Sequence, residues 1–430
     1  MENTWLQPPD KHAYGSGNPI TNMNRHAIRL LFATAEPYPT FRADVTTLFG
    51  KYSPRYGVMS DVVTERAPGA AGEVRWEGGD ALLTAIRGGK AGKYIVKLMH
   101  CALTLFRADR TKYQAIQVRD MPVVALLGLL AARRKRIPFF YWMSFPMPEG
   151  QIQLARLRGL SAGLIRFLFP WIVGRINLFV FYRLVLPWSD HVFVQSDRMR
   201  EDLVSKGIER KKLTPVVMGV DLETAVPERI APADDERLKG KRVLIYLGVM
   251  ARGRRIDILL DMLKILREQF PDVLLLLVGE AEDEVYGQWL RRRAEQMGVA
   301  DATIWTGWLP LHDAWRYVRA AEVGLAPVPR GPLLDCGSPT KVVEYLALGV
   351  PVVANDNPDQ ERVLREGGGG LCVPLTAHDF AQAVSRLLVD EPLRHAMVSS
   401  GQRYVRASRG YLTLAKLVAD KYSELLQLPS

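Results

Sequence analysis

The sequence predicts an α/β protein built from two doubly wound domains, each with a parallel sheet. Three observations carry that prediction. Short, nearly continuous apolar runs recur along the chain, as strands buried on both faces do. Helical patterns fill the intervals and complete βαβ units. The chain has 430 residues, more than one core ordinarily holds, so two domains of about 200 residues each are expected.

In the first half, strands are expected at 28-IRLLFAT-34, 58-VMSDVVTE-65, 115-AIQVRD-120, 139-FFYWMS-144 and 191-HVFVQS-196. In the second half they are expected at 243-VLIYLGVM-250, 273-VLLLLVGE-280, 302-ATIWTG-307, 323-VGLAPV-328 and 350-VPVVAN-355. Helical spacing marks 257-DILLDMLKILREQF-270 and 411-YLTLAKLVADKYSELLQ-427. The stretch 215-PVVMGVDLETAVPERIAPADDERLKGK-241 is rich in proline and acids and has weak periodicity, as a linker does. The domains are therefore expected at 1–218 and 219–410.

Hydrophobic content of 48% with 24% charged residues is the balance of a globular chain and excludes a disordered one. Cys101, Cys336 and Cys372 lie far apart and fit no zinc spacing, and so sparse a count suggests a reducing compartment. None of the seven histidines pairs with another at metal-ligand spacing. The first 25 residues are polar and lack the apolar core of a signal peptide. A cytoplasmic location follows as the expectation.

The net charge of +11 is uneven: residues 1–220 hold 31 basic against 17 acidic side chains, and residues 221–430 hold 26 against 29. One half is expected to face something anionic. Nucleic acid is disfavoured, because the basic half lacks basic strands interleaved with aromatics. The segment 151–187 points to a membrane surface instead. Leu154, Leu157, Leu160, Leu164 and Leu168 recur at helical spacing, and Arg156, Arg158, Arg166, Arg175 and Arg183 interleave with them. Pro170 is expected to break the helix, leaving pieces too short and too charged for a span of about 20 apolar residues. Such a segment suits the membrane interface; a helix pair packed on its own domain is the alternative.

Chemistry concentrates in 337-GSPTKVVEYLALGVPVVANDNP-358. Ser338 is read as an N-cap and Pro339 as the first helical residue. This helix starts at the carboxyl edge of a parallel sheet, so its free amides and positive dipole end offer a seat for phosphate. Lys341 opposes the dipole there, which makes sense if its cation answers a bound anion. Glu344, one turn further in, is placed to reach ribose hydroxyls. The loop 248-GVMARGRRID-257 leaves the same edge with Arg252, Arg254 and Arg255, fork-shaped donors suited to phosphate oxygens. The two elements together predict a site for a nucleoside diphosphate.

These residues resemble a known family. The stretches 217-VMGVDLE-223, 246-YLGVMARGRRIDILL-260, 277-LVGE-280, 306-TGWLP-310, 320-AAEVGLAPVP-329 and 338-SPTKVVEYLALGVPVVA-354 are similar, in order, to the donor domain of retaining glycosyltransferases of family four. That family has the GT-B fold. The first half resembles its acceptor domain more loosely, through strand order and 192-VFVQSDRM-199. The resemblance implies sugar transfer from a UDP- or GDP-sugar, with retention and without a metal or other cofactor. The implied acceptor is a lipid-linked or glycan chain in polysaccharide or glycolipid synthesis. The expected location is peripheral, on the inner face of the cell membrane, with the C-terminal helix 411–427 folded back onto the first domain.

By the same resemblance Glu344 binds the ribose, Arg254 holds the diphosphate, with Gly248 and Arg252 beside it, and Thr340 and Lys341 form the phosphate-binding helix start. Gly307, Trp308 and Leu309 match the stretch that contacts the base. The chain departs from the family at Cys336, where the first acid of the Glu-x7-Glu motif belongs, and Asp335 is the expected substitute. The family's active-site His is replaced by Met143 or Ser144. Arg119, Ser144 and Glu149 are candidate acceptor contacts. The implied chemistry is front-face attack, with the leaving diphosphate oxygen helping to take the acceptor proton. A nucleotide-sugar epimerase and a degenerate nucleotide-binding scaffold are the competing readings.

Overall fold

The structure, a computed structural model, describes residues 27–70, 74–85, 89–158 and 164–428. The chain divides into two compact units. One comprises Met1–Gln195, Met199–Val216 and Leu414–Ser430, and the other Ser196–Arg198 and Val217–Thr413.

The first unit holds a parallel sheet of seven strands: β1 (Ile28–Thr34), β2 (Val58–Glu65), β3 (Ala81–Thr84), β4 (Ala115–Arg119), β5 (Phe139–Met143), β6 (His191–Val194) and β7 (Leu213–Pro215), in the order β3-β2-β1-β4-β5-β6-β7. Ile28 of β1 stands beside Val58, and Leu30 beside Ala115 on the other side. Its helices are α1 (Lys90–Phe106), α2 (Pro122–Lys135), α3 (Met147–Arg158), α4 (Leu164–Val180), α5 (Leu186–Trp188) and α6 (Asp197–Ser205), whose first two residues are counted with the second unit.

The second unit has six parallel strands: β8 (Arg242–Leu247), β9 (Val273–Val278), β10 (Thr303–Gly307), β11 (Val323–Ala326), β12 (Val352–Asn355) and β13 (Gly370–Val373), in the order β10-β9-β8-β11-β12-β13. Between them run α7 (Asp257–Gln269), α8 (Glu284–Gln296), α9 (Leu311–Arg319), α10 (Thr340–Ala347), α11 (Pro358–Gly367) and α12 (Ala377–Val389), and α13 (Glu391–Ser408) follows. The β9 run VLLLLV is buried at every position. Leu274 and Leu276 enter the core on one face of the sheet, and Leu275 and Leu277 the core on the other, as the two-residue period of a strand requires.

Helix α14 (Tyr411–Leu425) returns the chain to the first unit. There Tyr422 is wholly buried, donates a hydrogen bond to Gln117 and sets its ring 5.6 Å from that of Phe140.

Three strands lie outside the sequence expectation: β3, β7 and β13. Each has four residues or fewer and each is a sheet edge, where one-sided pairing removes the need for a long apolar run. Pro170 does not break its helix. It lies inside α4, and the helical run continues from Leu168 to Trp188, 21 residues with a mean hydropathy of 1.4 over their most apolar stretch. A proline past the first turn removes one donor and crowds the carbonyl four residues back, a cost of about 3 kcal/mol that this helix bears without ending. By length and composition that run is sufficient to cross a membrane. Leu157, Leu160, Leu164 and Arg166 belong to 157–167, whose side chains lie outside the described residues.

Strand order fixes where the chemistry of the second unit must gather. The sheet grows from β8 toward β9 and β10 on one side and toward β11, β12 and β13 on the other. The connections after β8 and β11 therefore leave the carboxyl edge in opposite directions, and the gap between them is the place where such sheets bind ligands.

Candidate functional site

Helix α10 is anchored to the sheet by Tyr345. Its hydroxyl accepts the Leu247 N–H at 2.7 Å, and its ring lies so close to β11 that a Cβ on Gly324 would stand 2.4 Å from Cδ2. Only glycine leaves room there. The helix stops in a Schellman motif: Val350 N–H donates to the Tyr345 carbonyl and Gly349 N–H to that of Leu346, with Gly349 at φ 77°. Val342, Val343 and Leu346 fill the core beneath.

At its other end the helix is bare. Pro339 is the N-cap and no side chain caps the first turn, so the leading amides have no partner in the helix. This corrects the sequence reading, in which Ser338 caps and Pro339 is the first helical residue. Ser338 turns inward instead, donating to Asp359 at 2.6 Å and accepting from Met218 N–H at 2.9 Å.

The strand ends opposite α10 are glycines in the left-handed region: Gly248 at φ 133°, Gly279 at 130° and Gly307 at 73°. A Cβ on Gly279 would fall 2.4 Å from the Gly248 carbonyl, so the β8 and β9 ends touch backbone to backbone. A Cβ on Gly248 would lie 3.7 Å from Lys341 Nζ, which places the α10 lysine over the β8 loop.

Only one of the three loop arginines is uncommitted. Arg252 pairs with Glu282 and Asp283, both at 3.2 Å, and Arg255 pairs with Asp257 at 3.0 Å. No carboxylate among the described residues pairs with Arg254. The expectation that Arg252 serves the anion is corrected on this ground. Burial, and then the Arg254 charge, lower the Lys341 ammonium to a pKa of about 7, while Glu344 favours its charged form. Burial raises the Glu344 carboxyl, partly offset by Lys341 and a hydrogen bond from Thr340. Two cations and a row of amides thus converge with one partly buried acid beside them, and the site is short of negative charge.

Gly307, Trp308 and Leu309 lie at the same carboxyl edge. Leu309 packs on the core, and Trp308 stays 47% exposed. Asp335 does not stand free in the place of a motif acid: Arg330 binds its two oxygens at 3.0 and 3.1 Å, and the Gly331 amide donates to it at 3.1 Å. Cys336 is buried and its thiol lies 3.1 Å from the Pro332 carbonyl. The sequence reading passed over Tyr246, whose ring underlies Lys341, and Tyr345. The glycine ending each of 246-YLG-248, 277-LVG-279 and 305-WTG-307 was the available signal for Gly279. Among the described residues, no group of three or more His, Cys, Asp or Glu is placed to hold a metal.

In the first unit the three acceptor candidates are committed elsewhere. Arg119 is fully buried; it donates to Asp44 at 2.8 and 3.1 Å and to Ser144 at 3.0 Å. Ser144 donates its hydroxyl to Asp120 and its amide to the same carboxylate at 2.8 Å. Neither side chain is open to a ligand, because together they stitch the ends of β4 and β5. Glu149 accepts from Tyr182 at 2.5 Å and pairs with Lys206 at 2.7 Å. The opening at this edge is instead a cavity of about 430 Å³, lined by Glu65, Lys93, Lys97, Asp120, Gln151 and Asn177 among others. Helices α1 and α4 flank it, and both turn large apolar side chains outward, Ile95 and Met99 on α1 and Phe169 and Ile176 on α4.

Comparison with known proteins bears on both units. The family model "Glycosyl transferases group 1" matches residues 229–404, and the model "Glycosyl transferase 4-like domain" matches residues 47–219. The chain is 29% identical over 407 residues to a Mycobacterium tuberculosis protein named GDP-mannose-dependent alpha-(1-6)-phosphatidylinositol monomannoside mannosyltransferase, covering 91% of this chain and 97% of that one. It is 31% identical over 240 residues to a phosphatidyl-myo-inositol mannosyltransferase of Mycobacterium leprae, covering 54% of this chain and 59% of that one. Among solved structures, HepE of Anabaena in complex with UDP superposes with a TM-score of 0.64 at 14% identity, over 92% of this chain and all of that one. Sucrose-phosphate synthase from Thermosynechococcus elongatus superposes with 0.67 at 16% identity, over 93% and 99%.

Proposed function

The chain belongs to the family-four glycosyltransferases of GT-B fold, and from that premise we propose that it transfers mannose from GDP-mannose, with retention and without a metal, to a hydroxyl of a lipid-anchored acceptor of the phosphatidylinositol type. One observation carries the donor side of this reading: beside the uncapped start of α10, Arg254 pairs with no carboxylate among the described residues and Lys341 has the single acid Glu344 near it, so two basic side chains share one carboxylate. The diphosphate of an activated sugar supplies the missing charge. The α10 amides and Arg254 hold it, Glu344 accepts from the ribose hydroxyls, and the exposed face of Trp308 borders the base. The choice of guanine and mannose follows the name of the relative that aligns with most of the chain.

In the reaction the bond from the anomeric carbon to the diphosphate oxygen breaks, and the acceptor oxygen bonds to that carbon on the same face. The acceptor proton passes to the departing diphosphate oxygen. Fixed donors aimed at that diphosphate stabilise its growing charge, the larger part of the protein's contribution, and holding both substrates in line supplies the rest.

The acceptor side rests on the cavity between α1 and α4. Lys93 suits an anionic headgroup, whereas Lys97 is held by Glu65 at 3.0 Å, and the outward apolar side chains of both helices suit the bilayer from which such a lipid is drawn. We place the protein on the cytoplasmic face of the membrane, with α4 in the interface: one side of that helical run packs on its own unit, where Phe181, Val185 and Leu186 are buried. The test is to incubate the protein with GDP-mannose or UDP-glucose and vesicles containing phosphatidylinositol. The expected result is a mannolipid of retained anomeric configuration from GDP-mannose in the presence of EDTA. Release of free sugar alone, or an inverted product, overturns the reading.

A further inference from the structure

Ser338 belongs to a network that the diphosphate reading leaves unused. Its hydroxyl joins the Met218 amide to Asp359, and the two terminal guanidinium nitrogens of Arg409 hold that carboxylate, at 2.8 and 3.2 Å. Ser338 is 7% exposed, Asp359 6% and Arg409 2%. A buried ion pair is weak evidence for stability, since apolar residues of similar volume often hold a fold as well. Its geometry is what apolar contacts do not reproduce: a planar fork and a hydroxyl fix one orientation of the segment they bind.

The network joins the turn to the strands by which the chain enters and leaves the second unit. Met218 follows the entry at Val217, and Arg409 precedes the exit at Thr413. The two strands also bond each other: Val220 N–H donates to the Arg409 carbonyl at 2.9 Å, and Tyr411 N–H to the Val220 carbonyl at 3.1 Å. Ser196 adds a bond to the Cys336 carbonyl at 2.7 Å. Residues 336–338 are thus fixed at several points. One residue with a locked φ, Pro339 at −66°, separates them from the amides of Thr340 and Lys341.

We propose that Asp359 and Arg409 are positioning residues for the donor diphosphate: they fix Ser338, and through Pro339 they aim the Thr340 and Lys341 amides at the anion. Neither touches the ligand. The proposal rests on the diphosphate reading above and extends it to the chain crossings.

The test compares binding of guanosine, GMP and GDP by calorimetry to wild type, Ser338→Ala, Ser338→Thr and Arg409→Lys, each confirmed folded by thermal unfolding. Ser338→Ala is expected to weaken GDP about tenfold while guanosine stays within about twofold, because only the phosphate seat shifts. Ser338→Thr keeps the hydroxyl and restores GDP binding. Arg409→Lys loses the fork and shows the same loss confined to the diphosphate, and it decides the matter if Ser338→Ala does not fold. Folded variants that bind GDP as wild type does, or that lose guanosine and GDP alike, overturn the proposal. Failure of the wild type to prefer GDP over guanosine overturns the diphosphate reading itself, and is distinguishable from the first result.

Discussion

Lys341 lies over the ring of Tyr246, its Nζ 4.8 Å from the centroid, and burial beside Arg254 brings its pKa down to about 7. That value is below the ordinary 10.5 of lysine. Between these two pH values the unfolded chain binds more protons than the folded one, so stability of the ligand-free protein rises with pH through the window, and the cost of the buried ammonium is fully present below about pH 7. Donor binding has the opposite sign, because the diphosphate needs the ammonium. Affinity for a nucleotide-sugar is expected to fall as pH rises above about 7, and Lys341→Met is expected to bind weakly with a flat profile while melting higher near neutrality. Titrations with the nucleotide-sugar, rather than a free nucleotide whose terminal phosphate titrates near neutrality, check both.

Arg254 and Arg252 stand two residues apart and are expected to differ. Arg254→Ala removes charged hydrogen bonds to the diphosphate and should cost about 2 kcal/mol of donor affinity, roughly thirtyfold. Arg252 is already bound to Glu282 and Asp283 on an exposed surface, where such pairs contribute about 0–1 kcal/mol. Arg252→Ala is expected to change affinity less than about threefold. Calorimetry on the two variants separates them.

Gly324→Ala drives a methyl group into the buried Tyr345 ring, 2.4 Å away. Overpacking of this kind costs about 1–3 kcal/mol, and the displaced ring carries α10 with it. A lower melting temperature together with weakened nucleotide binding in the folded protein is the expected pair. Tyr345→Phe strands the Leu247 amide and should cost about 1–3 kcal/mol without moving the helix.

Replacing Phe169 and Ile176 with serine removes apolar area that α4 presents outward, 68% and 57% exposed. Vesicle flotation is expected to drop for this variant while GDP binding is retained. Flotation equal to wild type would remove α4 from the membrane face.

The central strands of both sheets were legible because burial on two faces demands unbroken apolar sequence, as in 273-VLLLLV-278. The edge strands β3, β7 and β13 carry no such demand and escaped notice. The phosphate turn was legible as a turn, from glycine, proline and the helix after it. Its internal bonding was not: the partner of Ser338 is Asp359, 21 residues on, and that of Arg252 is Asp283, 31 residues on. Local pattern cannot tell an arginine that is spoken for from its free neighbour. Arg119 and Ser144 illustrate the same limit, since their shared network with Asp44 and Asp120 arises only once β4 and β5 lie side by side.

The most direct measurement is a crystal structure with GDP bound. The diphosphate is expected within hydrogen-bond range of the Thr340 and Lys341 amides and of the Arg254 guanidinium, with Glu344 on the ribose. A nucleotide seated elsewhere, or one that leaves Arg254 and the α10 amides in solvent, would contradict the account.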